Sequence, residues 1–203
     1  MDPASQALGL DARPIVVAIA GPTGAGKSTF FHAHLAQTGL RFVNADDLAR
    51  ELGLDAYAAA ELAKSVHRGL VQQRASFVFE TVFSDPVGDK VRFLRECQAA
   101  GYTVLVCYIA LDDAGFSEER VAMRVLQGGH DVPTKKLVAR FPRSRENLRL
   151  AIAQLPRVLV FDNTDLRRPF HKVGEYADGA PVGSVTRPPW LRRLERKKRA
   201  PRS

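Results

Sequence analysis

Residues Gly21-Pro22-Thr23-Gly24-Ala25-Gly26-Lys27-Ser28 fill every fixed position of the pattern G-x-x-x-x-G-K-[ST]. The chemistry available at this spacing is capture of a polyphosphate. Glycines let backbone N–H groups turn toward an anion with no Cβ in the way. A helix directly after the turn adds its free amides and the positive end of its dipole. Lys27 can neutralise β- and γ-phosphates, the Ser28 hydroxyl can ligate Mg²⁺, and Thr29 can reach a phosphate further along. ATP and Mg²⁺ are therefore the expected cofactors. The motif names a nucleoside triphosphate and leaves kinase, hydrolase and switch all open.

Other residues could supply the second half of a reaction. Asn44-Ala45-Asp46-Asp47 closes a short apolar run, where a carboxylate would face the γ-phosphate and could orient an acceptor hydroxyl and take its proton. Asp and Asn also cap helices, and two adjacent aspartates allow both uses. Glu80 ends the apolar run Phe77–Phe79 and is expected at the same rim, holding substrate hydroxyls or supporting Mg²⁺ through water. Arg120 and Arg124 lie four apart and share one helix face. A Gly128-Gly129-His130-Asp131-Val132-Pro133 turn comes next, then Arg140, Arg143 and Arg145. A basic helix pair around a glycine hinge is expected to act as a lid over about 117–145, binding phosphates and stabilising transferred charge. His130 stands alone in its turn and makes no metal site.

The elements that must position these groups alternate along the chain. Apolar runs predict strands at Ile15–Ala20, Arg41–Asn44, Phe77–Glu80, Tyr102–Leu111 and Arg157–Phe161. Helical periodicity predicts Ser28–Gln37, Asp46–Leu52, Ala56–Arg74, Val87–Ala100, Ser117–Leu126 with Ser117 as its cap, and Thr134–Gln154 with a kink at Pro142. Alternation of this kind predicts an α/β, three-layer P-loop fold with a five-stranded, mainly parallel sheet and a helical lid. Residues 1–13 read as a flexible leader and 14–165 as the domain. Residues 166–186 read as a hairpin turning at Asp178-Gly179, and 187–203 as an irregular basic tail.

Composition adds bounds. An apolar fraction of 45 % over 203 residues suffices for a sizeable core. No apolar run approaches the roughly 20 residues of a membrane span, and the N-terminus lacks a basic-then-apolar order. Cys97 and Cys107 have no CxxC spacing. Reduced thiols in a cytoplasmic protein are expected. The net charge is +8, but residues 187–203 hold eight Lys/Arg against one Glu, so seven of those charges belong to the tail. Such a tail is solvated, or touches RNA, DNA or another anionic surface.

The segments GPTGAGKST, FVNADDLAR, FVFETVFS, RVAMRVLQGGHDVPTKKLVARF and VLVFDNT together resemble the zeta-toxin-like kinases, in particular their compact stand-alone branch. The resemblance spans about residues 14–165. It implies an ATP-dependent kinase acting on the 3′-hydroxyl of UDP-N-acetylglucosamine. By it, Lys27 and Ser28 bind ATP and Mg²⁺, Asp46 is the catalytic base, and Glu80 is a substrate-binding acid; beside it, Asn44, Arg120 and His130 are further candidates for substrate binding. Arg124 and Arg140 are the charge-stabilising lid arginines. Asp162 and Asn163 lie near the adenine or close the sheet edge. An antitoxin partner is also implied, though no residue pattern for binding one is visible. The GGHDVP segment departs from the family pattern. Two alternatives stay open: a kinase of another metabolite or of a nucleic-acid end, and a non-catalytic ATP-dependent switch.

Overall fold

The structure, a computed structural model, describes residues 8, 10–126, 132–183 and 187–196. Its centre is β1 (Ile15–Ala20), a run of six apolar residues every one of which is buried. Both faces of this strand are covered, which is why its hydrophobicity is continuous rather than alternating. β2 (Arg41–Val43), β3 (Phe77–Thr81), β4 (Thr103–Ala110) and β5 (Arg157–Asp162) join it in parallel, in the order β2-β3-β1-β4-β5.

The sheet does not stop at five strands. β6 (His171–Ala177) pairs antiparallel with β5, and β7 (Ala180–Pro181) pairs with β6, giving seven. The expected turn at Asp178-Gly179 is present, with both residues at positive φ. The hairpin is part of the main sheet because β5 would otherwise present an unpaired edge.

Alternate residues of the strands feed two cores. Toward one face, Phe30 and Phe31 of α1 (Lys27–His34) cover Val17, Ile19, Cys107 and Ile109. Toward the other lie α3 (Ala56–Gln72), α4 (Asp89–Ala99) and α6 (Thr134–Gln154), covering Val16, Ala18, Val106 and Tyr108. The short α2 (Ala45–Leu52) leads from β2 into α3, and α5 (Ala114–Leu126) comes after β4. Pro142 sits inside a helix that is continuous over 21 residues.

Most boundaries shift by one to three residues, and three differences from the sequence expectation have a clear physical cause. α5 starts at Ala114, not Ser117, because Asp113 Oδ1 accepts from the amides of Gly115 (2.7 Å) and Phe116 (3.3 Å) and takes the capping role. Ser117 is buried within the helix. The leader is not loose at Leu8 and Leu10, which are buried in the core that α1 covers, and Arg157 Nη1 donates to Leu8 O at 2.7 Å. Finally, part of the basic tail is a helix, α7 (Pro189–Arg196), whose Trp190, Leu191 and Leu194 are buried against the second core. Apolar residues at positions i, i+1 and i+4 form its buried stripe, which the surrounding Arg and Lys residues obscure in the sequence. Among the described residues, no helix is long and apolar enough to cross a membrane.

Candidate active site

The chain leaves β1 through the glycine-rich turn and enters α1 at Lys27. Gly26 is the residue before the helix, with φ 89°, a left-handed backbone that side chains rarely adopt. A Cβ there would lie 2.8 Å from Asn163 Nδ2. Asn163 itself is buried just past the end of β5. Its Nδ2 donates to Ala25 O at 2.8 Å, its Oδ1 accepts from the Phe170 amide at 3.3 Å, and its amide donates to Ala110 O at 3.0 Å. One residue thus ties the phosphate loop to the ends of β4 and β5. On the opposite side the loop meets the lid root: a Cβ on Gly24 would sit 3.1 Å from Ser117 O and 3.3 Å from Arg120 Cβ.

Lys27 is only 5 % exposed. Its Nζ donates to Pro22 O at 3.0 Å and lies 3.6 Å from Glu80 Oε1. Burial pushes this ammonium below its usual range. The charges of Glu80 and Asp46 oppose that shift, and Arg124 adds to it. Ser28 Oγ donates to Glu80 Oε2 at 2.7 Å, and Asn44 Nδ2 reaches the same oxygen at 3.5 Å. Glu80 emerges from the end of β3, so parallel pairing of β3 with β1 brings it beside the start of α1.

Asn44 and the two aspartates separate in role. Asn44 Oδ1 accepts from the Asp46 amide at 2.9 Å and so caps α2. Asp47 pairs with Arg50 at 2.5 Å on the outer side. Asp46 instead lines a cavity of about 400 Å³ with Thr23, Gly24, Gly26, Lys27, Ser28, Thr29 and Glu80. Arg120, Arg124 and Arg140 line its other side, together with Val82 and Val132. Gly21, Pro22, Ala25 and Asn44 stand behind this lining, and His130 lies outside the described residues.

The arginines of the lid part company. Arg124 and Arg140 come from two helices onto one cavity. Arg120 also borders it, yet its guanidinium donates to the carbonyls of Asn163 and Thr164 (3.1 Å to the latter). Arg145 points elsewhere, donating to Leu111 O at 2.9 Å and to Asp112 O. Thr164 also borders a larger cavity of about 650 Å³, shared with Asp162, Phe116 and Arg167, so Arg120 stands between the two spaces. Among the described residues no cluster of three or more His, Cys, Asp or Glu could cage a metal. Hard oxygen donors are nonetheless present on the cavity wall in Ser28, Glu80 and Asp46. That set suits a cation held mainly by phosphates and water.

Asn163 is the positioning group that motif reading under-used. Its signal was its place directly after an apolar strand, in VLVFDNT.

The family model described as Zeta toxin matches residues 5–172. The chain belongs to the zeta toxin family. By sequence, no curated protein is similar enough to count as a match. Solved structures agree on the architecture of this zeta toxin relative. The AvrRxo1-ORF1:AvrRxo1-ORF2 complex with sulphate ions aligns with a TM-score of 0.69 at 19 % identity, over 95 % of this chain and 67 % of that one. The same complex with ATP gives the same values. The PezAT chromosomal toxin-antitoxin system of Streptococcus pneumoniae aligns with a TM-score of 0.56 at 17 % identity, over 85 % of this chain and 80 % of that one. At such identities the likeness is one of fold: a zeta-toxin-like P-loop kinase fold.

Proposed function

We propose that this zeta toxin family member is a kinase that transfers the γ-phosphate of ATP to a hydroxyl of a small molecule, with UDP-N-acetylglucosamine as the leading acceptor. One observation carries the reading: Lys27, Ser28, Asp46, Glu80, Arg124 and Arg140, drawn from five elements, border a single cavity. A loose phosphoryl-transfer transition state needs positioning and charge stabilisation more than covalent chemistry, and this set supplies both.

The glycine turn would cradle the β- and γ-phosphates with its amides. Lys27 would exchange its contacts with Pro22 O and Glu80 for phosphate oxygens, so a buried ammonium never lacks a partner. Ser28 would hold Mg²⁺, with Glu80 supporting it through water; when bound, the ion neutralises charge between the phosphates. Asp46 would accept the proton of the acceptor hydroxyl as the new P–O bond forms and the bond to the leaving ADP oxygen breaks. Arg124 and Arg140 would face the charge on the transferred group. The nucleoside end would lie in the larger cavity beside Phe116 and Thr164. The likeness to a toxin-antitoxin system supports looking for an antitoxin partner. A cytoplasmic site of action belongs to the same reading, since Cys97 and Cys107 are both buried and unpaired.

Purified protein incubated with γ-labelled ATP and separate pools of sugar nucleotides, nucleosides and oligonucleotides tests this. Label on UDP-N-acetylglucosamine is expected. Label only on oligonucleotides would overturn the acceptor, and no transfer to any pool would overturn the kinase.

A further inference from the structure

The lid helix α6 carries Arg140 to the cavity, and its next turn is held in an unusual way. Arg145 lies five residues on, about 7.5 Å along the axis and roughly 140° around it, so it faces away from Arg140. Its guanidinium sits between two aromatic faces: 4.9 Å from the Phe141 ring centroid and 4.5 Å from that of Trp190 on α7. The same group donates to Leu111 O and Asp112 O, at the turn from β4 into α5. One side chain therefore joins α6, the turn that leads into α5, and α7.

The neighbouring contacts are of the same kind. Ser144 Oγ lies 3.0 Å from Tyr108 OH with both groups buried, and Asn147 Nδ2 donates to Phe83 O (3.0 Å) and Asp85 O (2.9 Å). α7 is itself pinned, since Tyr176 OH donates to Glu195 Oε1 at 2.7 Å and Leu191 is fully buried. Trp190 Nε1 is buried with no hydrogen-bond partner among the described residues. A buried indole usually pairs its N–H. Here the ring is kept for its face. α7 also lies beyond the segment matched by the family model.

We propose that Trp190 and Arg145 are positioning residues: α7 clamps the guanidinium of Arg145 against Phe141 and the β4–α5 turn, and thereby fixes the reach of Arg140 into the cavity. The basic C-terminal helix is thus a brace of the lid rather than an appendage. Misplacing a charge-stabilising group by about 1 Å can cost on the order of 100-fold in rate.

The effect on turnover rests on the kinase reading, so the test includes a readout without turnover. In the full-length chain, Trp190→Ala should speed amide hydrogen exchange at least about tenfold across residues 134–145 while leaving 21–29 unchanged. It should lower kcat about 10- to 100-fold with KM for ATP within about threefold. Trp190→Phe restores a ring face and should recover both to within about threefold. Arg145→Gln keeps the apolar contacts of α7, so it should reproduce the local exchange even if Trp190→Ala fails to fold. Unchanged exchange over 134–145, an equal rise across the whole chain, or no rescue by phenylalanine would overturn the clamp. A wild-type protein that transfers no phosphate would overturn the kinase reading and leave the exchange result to decide the clamp.

Discussion

The contact between Gly26 and Asn163 predicts that their substitutions are coupled. A Cβ at Gly26 would lie 2.8 Å from Asn163 Nδ2, whereas ordinary contact needs about 3.4 Å, so the amide must retreat by roughly 0.6 Å. That stretches its 2.8 Å bond to Ala25 O to the edge of hydrogen bonding. Gly26→Ala therefore carries two costs: about 1–2 kcal/mol for a left-handed alanine, and about 1–3 kcal/mol for a buried amide and carbonyl left unpaired. The sum is about 2–5 kcal/mol, or on the order of 5–15 °C in Tm for a chain of this size. In an Asn163→Ala background the obstruction is gone, and Gly26→Ala should cost only the backbone part. Urea unfolding of the wild type, both single variants and the double variant closes the cycle without nucleotide or acceptor. The double variant should be more stable than the sum of single effects predicts, by about 1–3 kcal/mol. Additivity within about 0.5 kcal/mol would refute the proposed packing of asparagine under the phosphate loop.

Lys27→Ala should weaken ATP binding about 10- to 100-fold by calorimetry, because one charge-assisted contact to phosphate is lost. Asp46→Asn should reduce transfer of label from ATP by about 100-fold or more while ATP affinity stays within about threefold, since Asp46 is exposed on the cavity wall, is the proposed base, and its backbone cap is untouched. For acid sensitivity, burial and then the charge of Lys90 lower His67 to about 4 from 6.5. The unfolded chain then binds the extra proton first, so this stability is complete above pH 6.5 and lost as pH falls toward 4. At pH 4.5 the loss is about 2–3 kcal/mol in urea unfolding, and His67→Phe, stacked among Phe77, Phe79 and Phe93, should remove most of it.

Where a residue's type and its neighbours on the chain decide its place, the sequence was sufficient. The glycine turn, Lys27 and Ser28 come from one contiguous motif between a strand and a helix. Asp46 and Glu80 obey a simple rule: parallel strands carry the residues at their C-terminal ends to a common rim. Choosing Asp46 over Asp47 was not possible from composition, because it depends on Asp47 finding Arg50 one helical turn away. The arginines are harder still. Arg120, Arg124, Arg140 and Arg145 look alike in the chain, and only tertiary partners separate them. Carbonyls at the end of β5 occupy Arg120, an aromatic pair occupies Arg145, and the cavity receives the other two. The same logic hid α7. Its three buried residues stand among eight basic ones, and an average over the segment reports a solvated tail, whereas Trp190 alone has a ring large enough to cover Arg145. A cationic run is therefore informative about solvation only after its aromatic residues have been accounted for. Among the described residues of α7, Arg192 and Arg193 are exposed, so replacing both with Gln should weaken any binding of the chain to a polyanion and lower its salt dependence.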